Sequence, residues 1–236
     1  MKIVILSNRD LASQLALSYL VKVLGQHQLS IFLSEGVGNA DLYPLALKQL
    51  ANFEQQFISS LALNFEQLAD RAKCKLQGFS DLDNRVNSAE GISRINNCRP
   101  DLIISVRFGL IIDQHIISIP KYGVINLHSG ILPEYRGVMA TFRAMLNGDT
   151  HIGSTLHYIS DRGVDTGDII STVRIPINLD HSYLLNVLHL YPSGCDQIFQ
   201  AVTAIDNGQC LNSQPQKGQP CYYSFPNNQE IDQFRS

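Results

Sequence analysis

The chain of 236 residues is poor in the features that staple, anchor or strongly charge a protein. It has five cysteines, Cys74, Cys98, Cys195, Cys210 and Cys221. They are scattered, odd in number and contain no C-x-x-C pair, which argues against a disulfide framework and a cysteine zinc site. That usage suits a reducing compartment, so a cytoplasmic location is expected. No apolar run approaches the roughly 20 residues of a membrane helix. The first residues, M-K-I-V-I-L-S-N-R-D, turn polar after four apolar positions, too few for a secretory signal. A basic excess is also missing. Lys and Arg number 18 against 21 Asp and Glu, a net charge of −3, which makes a grip on a nucleic-acid backbone a poor expectation. The seven histidines show no H-E-x-x-H or similar spacing. Asp165 and Asp168 lack further ligands, so no metal is expected.

The 44% hydrophobic content is ordinary for a globular domain, and its arrangement is that of an α/β fold. Ile3 to Leu6 reads as a buried strand, Asp10 as the cap of a helix through Leu20, and Leu29 to Leu33 as a second strand. Strand, helix and strand within about 30 residues imply a βαβ unit and a mostly parallel sheet. Residues 40–75 read as mostly helical. Ser88 to Asn97 reads as a helix closed by Pro100. Leu102 to Val106 has the continuous apolar character of a central parallel strand, and Val124 to Leu127 is the next. A helix is expected from about Ala140 to Leu146, with β-like runs at Ser154–Ile159 and Ile169–Ile175. Tyr183 to Ile205 reads as a long amphipathic helix interrupted near Pro192-Ser193-Gly194. The expected division is a catalytic domain over residues 1–208 and an extension over 209–236, a tail or hairpin docked by Tyr222, Tyr223 and Phe225. Those rings serve either burial or a homodimer contact, with stacking on a nucleotide base as the alternative.

Three stretches carry chemistry. Asn126 and His128 lie two apart at the end of a strand, so they point the same way, and ligands of open α/β sheets bind beyond such ends. Asp165 follows Asn126 by 39 residues, in a glycine-flanked turn. An amide that donates to an oxyanion, an imidazole that exchanges protons and a carboxylate that orients it suit acyl transfer to a nucleophile. The second stretch is Arg107 to Ile112. Gly109 permits close backbone approach by a flat ligand, with a plain strand-to-loop transition as the equal alternative. The third is Ser7-Asn8-Arg9-Asp10, which lacks G-x-G and reads as a plain turn and cap, with a phosphate contact by Asn8 and Arg9 as the alternative. His157 alternates with Leu156 and Tyr158 on a probable strand and reads as a structural neighbour of the site.

Together, N-L-H at 126–128, L-P at 132–133, R-G at 136–137, N-G-D at 147–149 and G-V-D-T-G-D at 163–168 resemble the folate-dependent formyltransferases. That group includes the methionyl-tRNA, glycinamide ribonucleotide and nucleotide-sugar enzymes. The resemblance is firm over about residues 100–175. It implies a Rossmann-like formyltransferase fold and N10-formyltetrahydrofolate as donor. Asn126, His128 and Asp165 match the catalytic residues: Asn126 and His128 would stabilise the oxyanion, while Asp165 would support His128 and move a proton. Phe108, Gly109, Leu110, Ile111 and Ile112 match the segment that holds the pterin-like ring, and the loop carrying Ser160, Asp161 and Gly163 would close the other side. Two departures stand out. The family usually reads S-L-L-P where this chain has Ser129-Gly130-Ile131-Leu132-Pro133, and the loop before Asp165 is about one residue longer.

The expected acceptor is a small primary amine, a nucleotide-linked amino sugar first. The family's tRNA enzyme carries an additional tRNA-binding domain where this chain continues for only about 30 residues, so tRNA is not the expected partner. The ribonucleotide enzyme has a glycine-rich phosphate turn that Ser7-Asn8-Arg9 lacks. A formyltetrahydrofolate hydrolase and a non-catalytic folate-binding module are the alternatives from other classes.

Overall fold

The computed structural model describes residues 1–35, 43–61, 63–79 and 85–235. A seven-stranded sheet forms its centre. Its strands are β1 (Lys2–Asn8), β2 (Gln28–Ser34), β3 (Leu76–Phe79), β4 (Leu102–Val106), β5 (Val124–His128), β7 (His151–Ile159) and β8 (Ile169–Pro176). Their order is β3-β2-β1-β4-β5-β7-β8. The first five run parallel; β7 and β8 are antiparallel additions. Strand order reverses between β1 and β4, the switch point beyond which such sheets take ligands.

Both faces of the parallel strands are covered, which explains their continuous apolar runs. Alternate residues go to opposite layers. Ile3, Ile5, Leu102 and Ile104 pack with helices α1 (Leu11–Val23), α3 (Phe65–Arg71) and α7 (Tyr183–Asp206). Val4, Leu6 and Ile103 pack on the other side with Ile95 of α4 (Ala89–Asn97) and Ile116 of α5 (Gln114–Ile117). The helix starts follow local chemistry: Asp10, Ser88 and Ser182 each accept a backbone N–H three residues on.

The helical reading of residues 40–75 resolves into α2 (Leu45–Ser60) and α3, with residues 40–42 and 62 outside the described set. The expected break at Pro192 does not occur: α7 continues through it. Its buried face, including Leu190, Tyr191, Cys195 and Ile198, outweighs the one backbone bond that proline removes. Gly194 serves packing instead. A Cβ there would lie 2.9 Å from Leu127 Cδ2, between the two candidate side chains of β5.

The C-terminal extension is not a hairpin. Its strand β9 (Tyr222–Tyr223) pairs in parallel with β6 (Arg136–Gly137), and a helix, α8 (Asn228–Arg235), follows. α8 packs on α6 (Ala140–Leu146), where Phe142 meets Phe234 at 4.8 Å and the buried Arg143 pairs with Glu230. A single parallel register with a distant two-residue strand has no local sequence signal, and the turn-rich composition suggests self-pairing instead. The aromatics divide. Tyr223 stacks on Tyr135 at 5.9 Å and Phe225 meets Tyr43 in a tilted contact at 4.5 Å, whereas Tyr222 stays 63% exposed.

Candidate active site

A cavity of about 760 Å³ opens at the carboxyl ends of β1, β4 and β5, within the size range of small-molecule sites. Asn126, His128 and Asp165 all line it. Asp165 is the hub, and its side chain is only 9% exposed. Its Oδ2 accepts from the Gly137 backbone N–H at 2.9 Å and lies 3.3 Å from His128 Nδ1. Its Oδ1 accepts from Asn126 Nδ2 at 3.3 Å and lies 3.4 Å from His157 Nε2. Burial pushes the carboxyl up, but the charge of His128, the hydrogen bond and charge of His157 and the Gly137 donor together outweigh it. The group is held at about 2, so it is a carboxylate at neutral pH. Asp165 has φ 53°, a left-handed conformation that Asp and Asn adopt more readily than most residues.

The histidines are held by carbonyls. His157 Nδ1 donates to Tyr158 O at 2.8 Å, and its Nε2 lies 3.0 Å from Asn126 Nδ2. Asn126 and His157 are cross-strand partners on β5 and β7, which brings this second histidine into the site. His128 Nε2 donates to Tyr135 O at 2.6 Å, which turns its Nδ1 toward Asp165 Oδ2. Tyr135 is fixed at its other end as well. Its hydroxyl donates to Asp149 Oδ2 at 2.6 Å, and burial together with that bond pushes the phenol up to about 12. Gly130 makes this arrangement possible. A Cβ there would lie 2.6 Å from His128 Nε2 and 2.8 Å from Tyr135 O.

Phe108, Gly109, Leu110, Ile111 and Ile112 line the cavity along one edge. The Gly109 N–H is taken by Ser34 Oγ at 3.0 Å, and Ile111 O accepts from Asn87. Among the described residues the main chain of Leu110 and Ile112 makes no hydrogen bond, so those groups are available to a flat polar ring. Asp161 and Gly163 line the opposite side, but Ser160 does not. The Asp161 carboxylate is spent on its own loop, accepting from Gly163 N at 2.6 Å and Thr166 Oγ1 at 3.1 Å. Asn8 is likewise engaged locally, bonding Arg9 N, Ser34 Oγ and Asp10 Oδ2. Among the described residues no group of three His, Cys, Asp or Glu side chains is placed to hold a metal ion, and no helix is long and apolar enough to cross a membrane.

The far end of the cavity holds an ion pair that the sequence reading missed. Arg107, with φ 60°, turns out of β4 and pairs with Asp10 at 2.8 Å, while its Nη1 donates to Tyr191 OH. The partners are 97 residues apart, beyond any local signal; the only hint was an Arg at a strand end facing an acidic cap across the switch point. Burial pushes the Asp10 carboxyl up, yet Arg107 leaves it below its ordinary value. Glu54 of α2 lines the same end. Burial, with the Asp10 charge adding and Arg107 opposing, raises it from 4.5 to about 7. A carboxyl raised on folding stabilises fully below about 4.5 and loses that contribution as pH climbs through about 7. Glu54→Gln is therefore expected to raise Tm at pH 8.5 and leave it nearly unchanged at pH 4; equal effects at both pH values, measured by calorimetry, would refute this reading of Glu54.

A model of the family described as Formyl transferase matches residues 52–184. The chain belongs to the formyl transferase family. The methionyl-tRNA formyltransferase of Fusobacterium nucleatum is 37% identical over 118 residues, covering 50% of this chain and 38% of that protein. The chain thus matches well under half of that relative's length. Among solved structures, an N-formyltransferase from Helicobacter canadensis in complex with folinic acid and dTDP-3-aminofucose superposes with a TM-score of 0.59 at 19% identity, covering 98% of this chain and 72% of that one. Glycinamide ribonucleotide transformylase 1 from Symbiobacterium toebii gives 0.62 at 14% identity, covering 92% and 95%. This member of the formyl transferase family therefore has the family's Rossmann-like fold, as the motif resemblance implied.

Proposed function

We propose that the protein is a folate-dependent N-formyltransferase that moves the formyl group of N10-formyltetrahydrofolate to a primary amine of a small acceptor, a nucleotide-linked amino sugar in first place. The observation that carries this is the convergence of Asn126, His128 and Asp165 on one cavity wall in a chain of this family. The donor reading is supported by an apolar edge at Phe108–Ile112 and by the 161–165 loop, which lines the same cavity.

The chemistry follows from the contacts. The acceptor nitrogen attacks the formyl carbon and its carbonyl oxygen becomes an oxyanion. Asn126 Nδ2 is shared between His157 Nε2 at 3.0 Å and Asp165 Oδ1 at 3.3 Å, and His128 is held by Tyr135 O. Both can exchange these resting partners for the oxyanion, a tightening common when a substrate arrives. The proton leaving the amine passes by way of the Asp165 carboxylate to the departing folate nitrogen. The tetrahedral centre then collapses to a formamide and tetrahydrofolate.

The amino-sugar reading is supported by the exposed Tyr222 ring on the cavity wall, a stacking surface for a base. Methionyl-tRNA is the second reading, favoured by the identity to the F. nucleatum enzyme; the net charge of −3 speaks against a nucleic-acid partner. Incubation with N10-formyltetrahydrofolate and separate acceptors (nucleotide amino sugars, glycinamide ribonucleotide, methionyl-tRNA, water alone) tests both. Formamide and tetrahydrofolate formed with an amino sugar are expected. Formate release without an acceptor would make the protein a hydrolase, and no turnover with any acceptor would overturn the enzymatic reading.

A further inference from the structure

Gln216, in the extension, makes four hydrogen bonds, two to the Asp165 turn and two to Arg136. Its Nε2 donates to Asp165 O at 2.8 Å and to Gly167 O at 2.8 Å. Its Oε1 accepts from Arg136 Nε at 3.1 Å and Nη2 at 2.7 Å. Carbonyls only accept and a guanidinium only donates, so these partners fix which way the amide faces and use both its donors and its acceptor oxygen.

The two sides of this clamp meet again at the carboxylate. Arg136 precedes Gly137, whose N–H is the shortest hydrogen bond to the Asp165 side chain. The extension also holds the residues on either side of Gly137: Arg136 N donates to Cys221 O at 2.9 Å, and Val138 N to Tyr223 O at 2.9 Å. A Cβ on Gly137 would lie 2.1 Å from Tyr223 O. Just before Gln216, Gln214 exchanges two backbone bonds with Ile169 at 2.8 and 2.9 Å, which ties this part of the extension to β8. A non-glycine residue at φ 53° persists when its surroundings over-determine it, and Gln216 supplies a bond to that residue's own carbonyl.

We propose that Gln216 is a positioning residue: it sets the Asp165 carboxylate against the Gly137 N–H and His128 by clamping the Asp165–Gly167 turn to Arg136. The role in turnover rests on the formyltransferase reading above; the role in geometry does not.

The test uses the full chain with Gln216→Ala and Gln216→Glu. Alanine removes every bond. Glutamate keeps the Arg136 contact but has no donor for the two carbonyls, so it separates holding Arg136 from holding the turn. Both variants are expected to lose ~10- to 100-fold in kcat, the scale of a small misplacement of a reacting group, with KM for the folate donor within about twofold of wild type. Wild-type kcat in either variant would overturn the proposal, as would a lower Tm with kcat unchanged. If the wild-type protein turns over no acceptor, the enzymatic reading has failed, and crystal structures of the two variants decide the positioning role. Separation of Asp165 Oδ2 from Gly137 N beyond about 3.5 Å is expected, and an undisturbed carboxylate would overturn it.

Discussion

Asp165→Asn is expected to give a folded protein that turns over ~10³-fold more slowly, within the range for loss of a proton-transfer group. Asparagine is chosen because it tolerates the left-handed backbone at this position and its carbonyl oxygen can still accept from Gly137. What it removes is the charge. His128 loses the carboxylate at 3.3 Å, and the proton that has to leave the acceptor amine loses its carrier. Saturating both substrates will not restore the rate, because the missing group acts on the transition state rather than on binding. Turnover within about tenfold of wild type would sink the assigned role.

The same substitution has a stability signature whose sign is fixed by the carboxyl. Folding lowers it from 3.8 to about 2. The stabilisation, about 2 kcal/mol for a shift of this size, is fully present above about pH 4 and is lost as pH falls through 2. Asp165→Asn should therefore lie below wild type in Tm at pH 7, with the difference narrowing between pH 4 and pH 2. A difference constant over that window, measured by thermal unfolding, would show that the ionised carboxylate does not stabilise the fold.

Gly130→Val is expected to cost ~100-fold in kcat without removing any polar group. A Cβ at this position meets Ala140 Cβ at 2.6 Å, His128 Nε2 at 2.6 Å and Tyr135 O at 2.8 Å. The carbonyl belongs to a residue anchored by its hydroxyl and by stacking on Tyr223, so the imidazole is the group that yields. Overpacking of this kind costs about 1–3 kcal/mol, so Tm should fall as well. Gly130→Ala should lie between wild type and valine. Full activity in the valine variant would show that the bond from His128 to Tyr135 O is dispensable, and a crystal structure would show where the ring has gone.

The two predictions also mark how much the sequence disclosed. Asn126, His128 and Asp165 were legible because chemistry and position coincide: polar residues at the end of an apolar strand and in a glycine-flanked turn are locally conspicuous. The apolar runs of β1, β2, β4 and β5 were legible because both faces of a parallel sheet are buried. β3 was not, since Gln77 and Gly78 interrupt its four residues and its pairing with β2 supplies what its composition lacks. The continuity of α7 through Pro192 was hidden because local propensity carries no record of the face it buries. Gln216, the Asp10–Arg107 pair and the consequence of Gly130 were out of reach for one reason: each depends on a partner that only the fold brings near. His157 lies between these cases. Alternation gave its face, but the register that sets it opposite Asn126 had to come from the sheet.

The pairing of β6 with β9 bears on the order in which the protein is made. A ribosome that has just added Asp165 has already produced Asn126 and His128. Gln216 lies another 51 residues along, and Tyr223 beyond that. Until those residues have emerged, Arg136 and Gly137 have no strand beside them and the Asp165 turn has no clamp. A growing chain would thus carry the candidate side chains long before it could hold them in register, and their arrangement would be completed late, when the extension closes against β6.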